Sequence, residues 1–289
     1  EHDFKKYAIY LGGLTDGLLA CPYVEALATA CADENWALVQ PILSSSYMGY
    51  GTGSLSRDSE ELDSLMAFLH EQRGAVATAL IGHSTGCQNS VHFLRHASPS
   101  SRLLVRVAAL QAPVSDREAA TLEPGSSALL ARAQGLIAEG RGADVFTMHY
   151  GIAAMTADRY ASLVGRGGED DLFSSDFTDA ELSDRLGHMS TKGQRMLPMT
   201  EAHPGLRTLI ASSLADEYVP RNIDSPALVR RFQTAMDQSE FSQRDGEEIS
   251  QLGDTVCLYL EAANHNLSSP PSAADTFVAA VARLLGEVE

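Results

Sequence analysis

The stretch Ala75-Val76-Ala77-Thr78-Ala79-Leu80-Ile81-Gly82-His83-Ser84-Thr85-Gly86-Cys87-Gln88 decides the fold. Ala75 to Ile81 is apolar or β-branched almost throughout, which is the pattern of a strand covered on both faces. Gln88 to His96 reads as a helix. Between them Gly82-His83-Ser84-Thr85-Gly86 fits G-x-S-x-G, in which a serine occupies a sharp strand-to-helix turn and glycines flank it because side chains there would collide with neighbouring backbone. The five residues alone are a weak signal. The strand that feeds them and the helix that leaves them make Ser84 a candidate nucleophile.

Outward from this turn the chain alternates strand and helix. Tyr7 to Leu11 is a short buried strand stopped by Gly12-Gly13, Pro22 to Asp33 is helical, and Trp36 to Gln40 is a strand closed by Pro41. Residues 57–73 place Leu62, Leu65, Met66 and Leu69 at i, i+3, i+4 and i+7, with Ser56 as N-cap and Gly74 just past the end. Leu103 to Leu110 is a further strand. Strand character lapses from about Val114 to Pro204, where helical pieces punctuated by glycine predict an inserted helical cap, residues 114–204, between core segments 1–113 and 205–289. Thr178-Asp179-Ala180-Glu181 has capping-box spacing, with Gly187 ending that helix. Strands return at Leu206 to Ala211 and Thr255 to Leu260, and helices begin at Ser225-Pro226 and near the C-terminus. The expectation is an α/β fold with a mostly parallel sheet of at least six strands and helices on both faces.

A serine hydroxyl needs a base to take its proton, and the base needs an orienting acid. Both follow in order. Asp216, in Ala215-Asp216-Glu217-Tyr218-Val219-Pro220, follows the strand Leu206 to Ala211; Glu217 is the alternative acid, since adjacent side chains point in different directions. His265 lies just beyond the last strand. His2, His70, His92, His96, His149, His188 and His203 read as surface or satisfied core histidines, and His83 as a packing or pocket-lining residue. An oxyanion formed at a carbonyl requires two preorganised backbone N–H groups. Thr85, directly after the serine, supplies one, and Leu14 in Gly12-Gly13-Leu14-Thr15-Asp16-Gly17 the other, with Gly13 possible. Gly13, Thr15, Ser45, Tyr47, Tyr50 and His83 are expected to meet substrate.

Lys and Arg total 21 against 38 Asp and Glu, a net charge of −17, which opposes nucleic acid and anionic membrane partners and favours solubility. No run approaches the roughly 18 apolar residues of a membrane span. Cys21, Cys31, Cys87 and Cys257 lack the spacing of a disulfide framework or zinc motif and read as buried thiols in a reducing compartment. Gly49-Tyr50-Gly51-Thr52-Gly53 lacks the third glycine of a dinucleotide loop. Glu169-Asp170-Asp171 with Asp176 lacks calcium-loop spacing and reads as a solvated cap edge. No cofactor or metal is expected, and no oligomeric state is assigned.

The Ser84, Asp216, His265 order, the turn around Ser84 and the interrupting insertion resemble the α/β-hydrolase superfamily. More narrowly, Gly12 to Leu19, Leu43 to Leu55, Gly168 to Asp176 and Asp216 to Pro220 are similar to the fungal siderophore esterase family, over nearly the whole chain. The resemblance implies a cytoplasmic hydrolase of small-molecule esters, including fusarinine-type hydroxamate siderophores. Two departures stand out: Ser212-Ser213-Leu214-Ala215 replaces a Ser-Gly pair before the acid, and Gln238 to Gly253 is expanded and polar. A non-catalytic member of the fold that holds a small molecule is the competing expectation.

Overall fold

The computed structural model describes residues 3–149, 151–199, 201–237 and 249–289. The expanded polar segment lies largely outside the described residues, as does His2. Nine strands are described: β1 (Lys6–Leu11), β2 (Ala37–Val39), β3 (Ala77–His83), β4 (Val105–Gln111), β5 (Val145–His149), β6 (Ala153–Thr156), β7 (Arg207–Ser213), β8 (Ile249–Leu252) and β9 (Thr255–Leu260). Seven of them form one sheet in the order β2-β1-β3-β4-β7-β9-β8, parallel except for β8, which pairs antiparallel with β9.

Side chains alternate along β1, so Ile9 and Leu11 enter one apolar cluster while Ala8 and Tyr10 enter another. The first cluster is closed by helices Leu55–Arg73, Thr85–His96 and Ser225–Asp237, the second by Val24–Asp33 and Pro271–Gly286. Every residue of β3 is buried, as its unalternating sequence predicts. The strand order reverses between β1 and β3, where the connections leave toward opposite edges, and the carboxyl ends of strands at such a switch point open a crevice. The Gly12 to Gly17 turn and Ser84 both stand there.

The helix after the first long loop is capped earlier than expected: Ser54, not Ser56, accepts the Arg57 N–H (3.1 Å), and Gly74 ends the helix at φ 67°. The capping box at Thr178 and Glu181 is present in both halves.

The stretch 114–204 departs from an all-helical insertion. It contains the antiparallel hairpin β5-β6, which masquerades as loop in the sequence because Gly151, at φ 70°, sits between two strands of only five and four residues. Its apolar residues also divide. Ala133, Phe146, Met155, Tyr160 and Leu163 form a small cluster with Tyr50, whereas Phe173, Phe177, Leu182, Leu186 and Met189 join the sheet's own core. Of the acidic residues, Asp176 is exposed and Glu169 half-buried, but the middle of the run is not a solvated edge. Asp170 and Asp171 are 1% and 2% exposed; Arg159 Nη1 reaches both oxygens of Asp170 (2.8 and 2.6 Å), and Arg117 Nε binds Asp171 (2.9 Å). A charge excluded from water must be paired in this way. Among the described residues no helix is long and apolar enough to cross a membrane.

Candidate active site

Ser84 adopts φ 53° and ψ −123°, a backbone conformation that costs a non-glycine residue about 1–3 kcal/mol. The turn is held by the Ser84 N–H to the Gln111 carbonyl (3.0 Å) and the Cys87 N–H to the Ser84 carbonyl (2.8 Å). Its glycines are sterically required. A Cβ on Gly82 would run into the Gly86 carbonyl, and one on Gly86 into the carbonyls of Leu11 and Gly12, so β1, the turn and the following helix could not approach as they do.

Asp216 and His265 follow the carboxyl ends of β7 and β9. Asp216 Oδ2 lies 2.7 Å from His265 Nδ1, with the two residues 8% and 7% exposed, and Asp216 Oδ1 accepts the Tyr218 N–H at 2.9 Å. Glu217 serves the same histidine differently, since its Oε2 accepts the backbone N–H of His265 at 2.9 Å. Gln111 Nε2 donates to the His265 carbonyl (2.9 Å), and the Tyr218 ring packs edge-on against the imidazole at 4.6 Å. Both backbone polar groups of His265 and its Nδ1 are therefore fixed, and Nε2 is the ring atom left for chemistry.

The Gly12 to Gly17 turn is tied by the Asp16 N–H to the Gly13 carbonyl (3.2 Å), and the Gly13 N–H donates to Asp16 Oδ2 (2.7 Å). That donor is spent. Among the described residues the Leu14 and Thr85 N–H groups have no acceptor, and Thr85 stands in the first helical turn, where backbone donors have no partner within the helix.

Ser84, His265, Gly13, Leu14, Thr15 and His83 share one cavity of about 270 Å³. Its acidic lining residues are Asp16, Asp116, Glu123 and Glu217, and its described lining includes no Lys or Arg. Burial raises the Asp16 carboxyl above the usual carboxylate range, opposed by the Gly13 N–H and His265. Burial, reinforced by the Asp170 carboxylate, pushes Asp116 to about 7, and Gln88 Nε2 donates to its Oδ2 at 2.7 Å. His83 is driven down to about 3 by burial and then by the neighbouring His265, whose ring lies 4.9 Å away, so His83 is a neutral wall rather than a second base.

A family model described as "Protein of unknown function (DUF1749)" matches residues 2–279. The chain belongs to this family. A UPF0613 protein from Schizosaccharomyces pombe is 34% identical, the match covering 79% of this chain and 73% of the relative. The fusarinine C esterase sidJ of Aspergillus fumigatus is 28% identical, over 80% of this chain and 76% of its own length. Among solved structures, the siderophore hydrolase EstB from A. fumigatus superposes with a TM-score of 0.70 at 26% identity, covering 98% of this chain and 90% of that one. The fold is that of the α/β hydrolases.

In this DUF1749 chain not every residue expected to meet substrate reaches the cavity. Ser45 and Tyr50 line a separate void of about 40 Å³ behind the Gly12 to Gly17 turn, and Tyr50 Oη pairs with His149 Nδ1 (2.9 Å). Tyr47 braces the same turn from outside: its ring packs on Gly17, its Oη accepts the Leu18 N–H (3.3 Å), and its own N–H donates to the Asp16 carbonyl (3.0 Å). Conversely, sequence reasoning missed Cys21, Asp116, Glu123, His149, Tyr160, Leu163 and Tyr218 as cavity residues. Only Tyr218 carried a local signal, its adjacency to Asp216. Most of the others come from the stretch 114–204.

Proposed function

We propose that this protein is a serine hydrolase of carboxylic esters that works through an acyl-enzyme. The carrying observation is that Ser84, on a strained turn, opens into the same cavity as a His265 whose Nδ1 is held 2.7 Å from Asp216. In this reading His265 Nε2 takes the Ser84 proton as Oγ attacks the ester carbonyl, and the oxyanion is met by the Leu14 and Thr85 N–H groups. The C–O bond to the alcohol then breaks, the leaving oxygen takes the proton from His265, and water repeats the sequence to free the acid and restore Ser84. Asp216 keeps the proton of neutral His265 on Nδ1 and stabilises the imidazolium that forms. The stretch from Val114 to Val164, which contributes Val114, Asp116, Glu123, His149 and Tyr160 to the cavity wall, serves as the lid.

For substrate we infer a hydroxamate siderophore ester, supported by a relative named for fusarinine C and a structural neighbour named as a siderophore hydrolase. The test compares kcat/KM for a short p-nitrophenyl ester with that for a fusarinine-type ester, in wild type and His265→Gln. Hydrolysis lost with His265 and a preference for the siderophore support both parts. Equal turnover of the two esters restricts the reading to a general esterase, and no turnover of either refutes it.

A further inference from the structure

Three donor atoms beside the nucleophile are not used by this chemistry. A carboxylate oxygen of Asp16, Sγ of Cys21 and a ring nitrogen of His83 all lie within 4.8 Å of one another. Gln111 decides which nitrogen is available. Its Nε2 donates to the His265 carbonyl, which can only accept, so its Oε1 must be the atom that faces Tyr23 Oη (3.1 Å) and His83 Nδ1 (2.6 Å). Nδ1 therefore carries the His83 proton, and Nε2, which has no hydrogen-bond partner among the described residues, lies 4.0 Å from Asp16 Oδ2. The residues His83 and Cys21 are 4% and 3% exposed.

We propose that Asp16, Cys21 and His83 bind a zinc-like divalent ion, and that this ion silences Ser84. One nitrogen, one sulfur and one carboxylate oxygen form the mixed set that zinc accepts, whereas calcium and magnesium require oxygen ligands. An imidazole whose other N–H is fixed by an acceptor is the usual preparation of a metal-binding histidine, and Gln111 supplies that acceptor. Zinc–ligand distances of about 2.0–2.3 Å put tetrahedral donors about 3.3–3.8 Å apart, so donor atoms now up to 4.8 Å apart must draw together, and the partly exposed Asp16 carboxylate has the most room to move. Binding replaces the Cys21 S–H by S–Zn and releases that proton to solvent. The fourth position opens to the cavity.

Silencing rests on the esterase reading; occupancy of the site does not. Asp16 Oδ2 also holds the Gly13 N–H, so its capture pulls on the turn that carries the Leu14 donor. A cation near His265 further opposes formation of the imidazolium.

X-ray absorption at the zinc edge of the wild-type protein, loaded with one equivalent of Zn²⁺, tests the site without any variant. A shell with one sulfur at about 2.3 Å and nitrogen or oxygen at about 2.0–2.1 Å is expected. A shell of nitrogen and oxygen only, or no binding at one equivalent, overturns the site. Co²⁺ loading should give a thiolate charge-transfer band that is lost in Cys21→Ser, and persistence of the band in that variant also overturns it. In a parallel aryl-ester assay Zn²⁺ should abolish turnover and EDTA should restore it. The sulfur-containing shell with turnover unchanged overturns silencing, whereas no turnover even without metal counts against the esterase reading and leaves absorption to judge the site.

Discussion

Gly13→Ala separates catalytic geometry from folding. A Cβ at Gly13 would lie 2.8 Å from Ser84 Cβ, 3.3 Å from Ser84 Oγ and 3.4 Å from Asp16 Oδ2. Ordinary carbon contacts are about 3.5–4.0 Å, so the two backbones must part by about 1 Å. Rotation of a side chain gives no relief, because Ser84 Cβ is fixed to a turn held by Gln111 and Cys87. The Gly12 to Gly17 turn moves instead, and in the proposed mechanism this takes the Leu14 N–H away from the carbonyl that Ser84 would attack. A misplacement of about 1 Å costs about 10²-fold in rate. Gly13 is not among the positive-φ glycines, so alanine adds no backbone strain there. Steady-state kinetics on an aryl ester should therefore show kcat down about 10²-fold, with a thermal midpoint close to that of the wild type. A kcat within about threefold of wild type would refute the claim that this glycine sets the oxyanion geometry, and a loss matched by collapse of the midpoint would assign the effect to folding.

Other substitutions probe the remaining links. Asp216→Asn should lower kcat by about 10⁴, because the Tyr218 N–H holds the amide oxygen and turns the NH2 donor toward His265 Nδ1, favouring the wrong tautomer, whereas Glu217→Gln, whose amide oxygen can still accept the His265 backbone N–H, should change it little; the reverse ranking in kinetics would transfer the role. Gly135 lies inside the helix Ser126–Ala138, and a methyl group there would meet nothing within 4 Å, so Gly135→Ala should stabilise by about 1 kcal/mol and raise Tm by about 2 °C; an unchanged or lower Tm contradicts this. His188 donates Nε2–H to the Val91 carbonyl (2.8 Å), and burial lowers it from 6.5 to about 4. Between those values the unfolded chain binds a proton that the folded chain refuses, so stability falls as pH drops from 6.5 to 4, by about 3 kcal/mol at 1.36 kcal/mol per pH unit. Urea unfolding of His188→Gln should be less pH-dependent than wild type over that window; parallel curves would show that His188 carries none of the effect.

What was legible in the sequence is local. The strand, turn and helix around Ser84 announce themselves within fourteen consecutive residues, and the helix limits at Gly74 and Thr178 follow from residues that satisfy the free backbone groups at a helix end. The choice between Asp216 and Glu217 was not legible, because both carboxylates serve His265, one at the ring and one at the backbone, and only side-chain direction separates them. The Asp170 and Asp171 run looked solvated because the arginines that neutralise it stand 11 and 54 residues away. His149 looked ordinary for the same reason: its partner Tyr50 is 99 residues distant, and the hairpin that brings them together is two very short strands.

The most direct measurement is covalent. Incubated with a fluorophosphonate, the wild-type protein should gain the mass of one adduct, carried by the peptide that contains Ser84, and Ser84→Ala should gain none. No adduct on the folded wild type, or an equal adduct on Ser84→Ala, would contradict the assignment of Ser84 as an activated nucleophile.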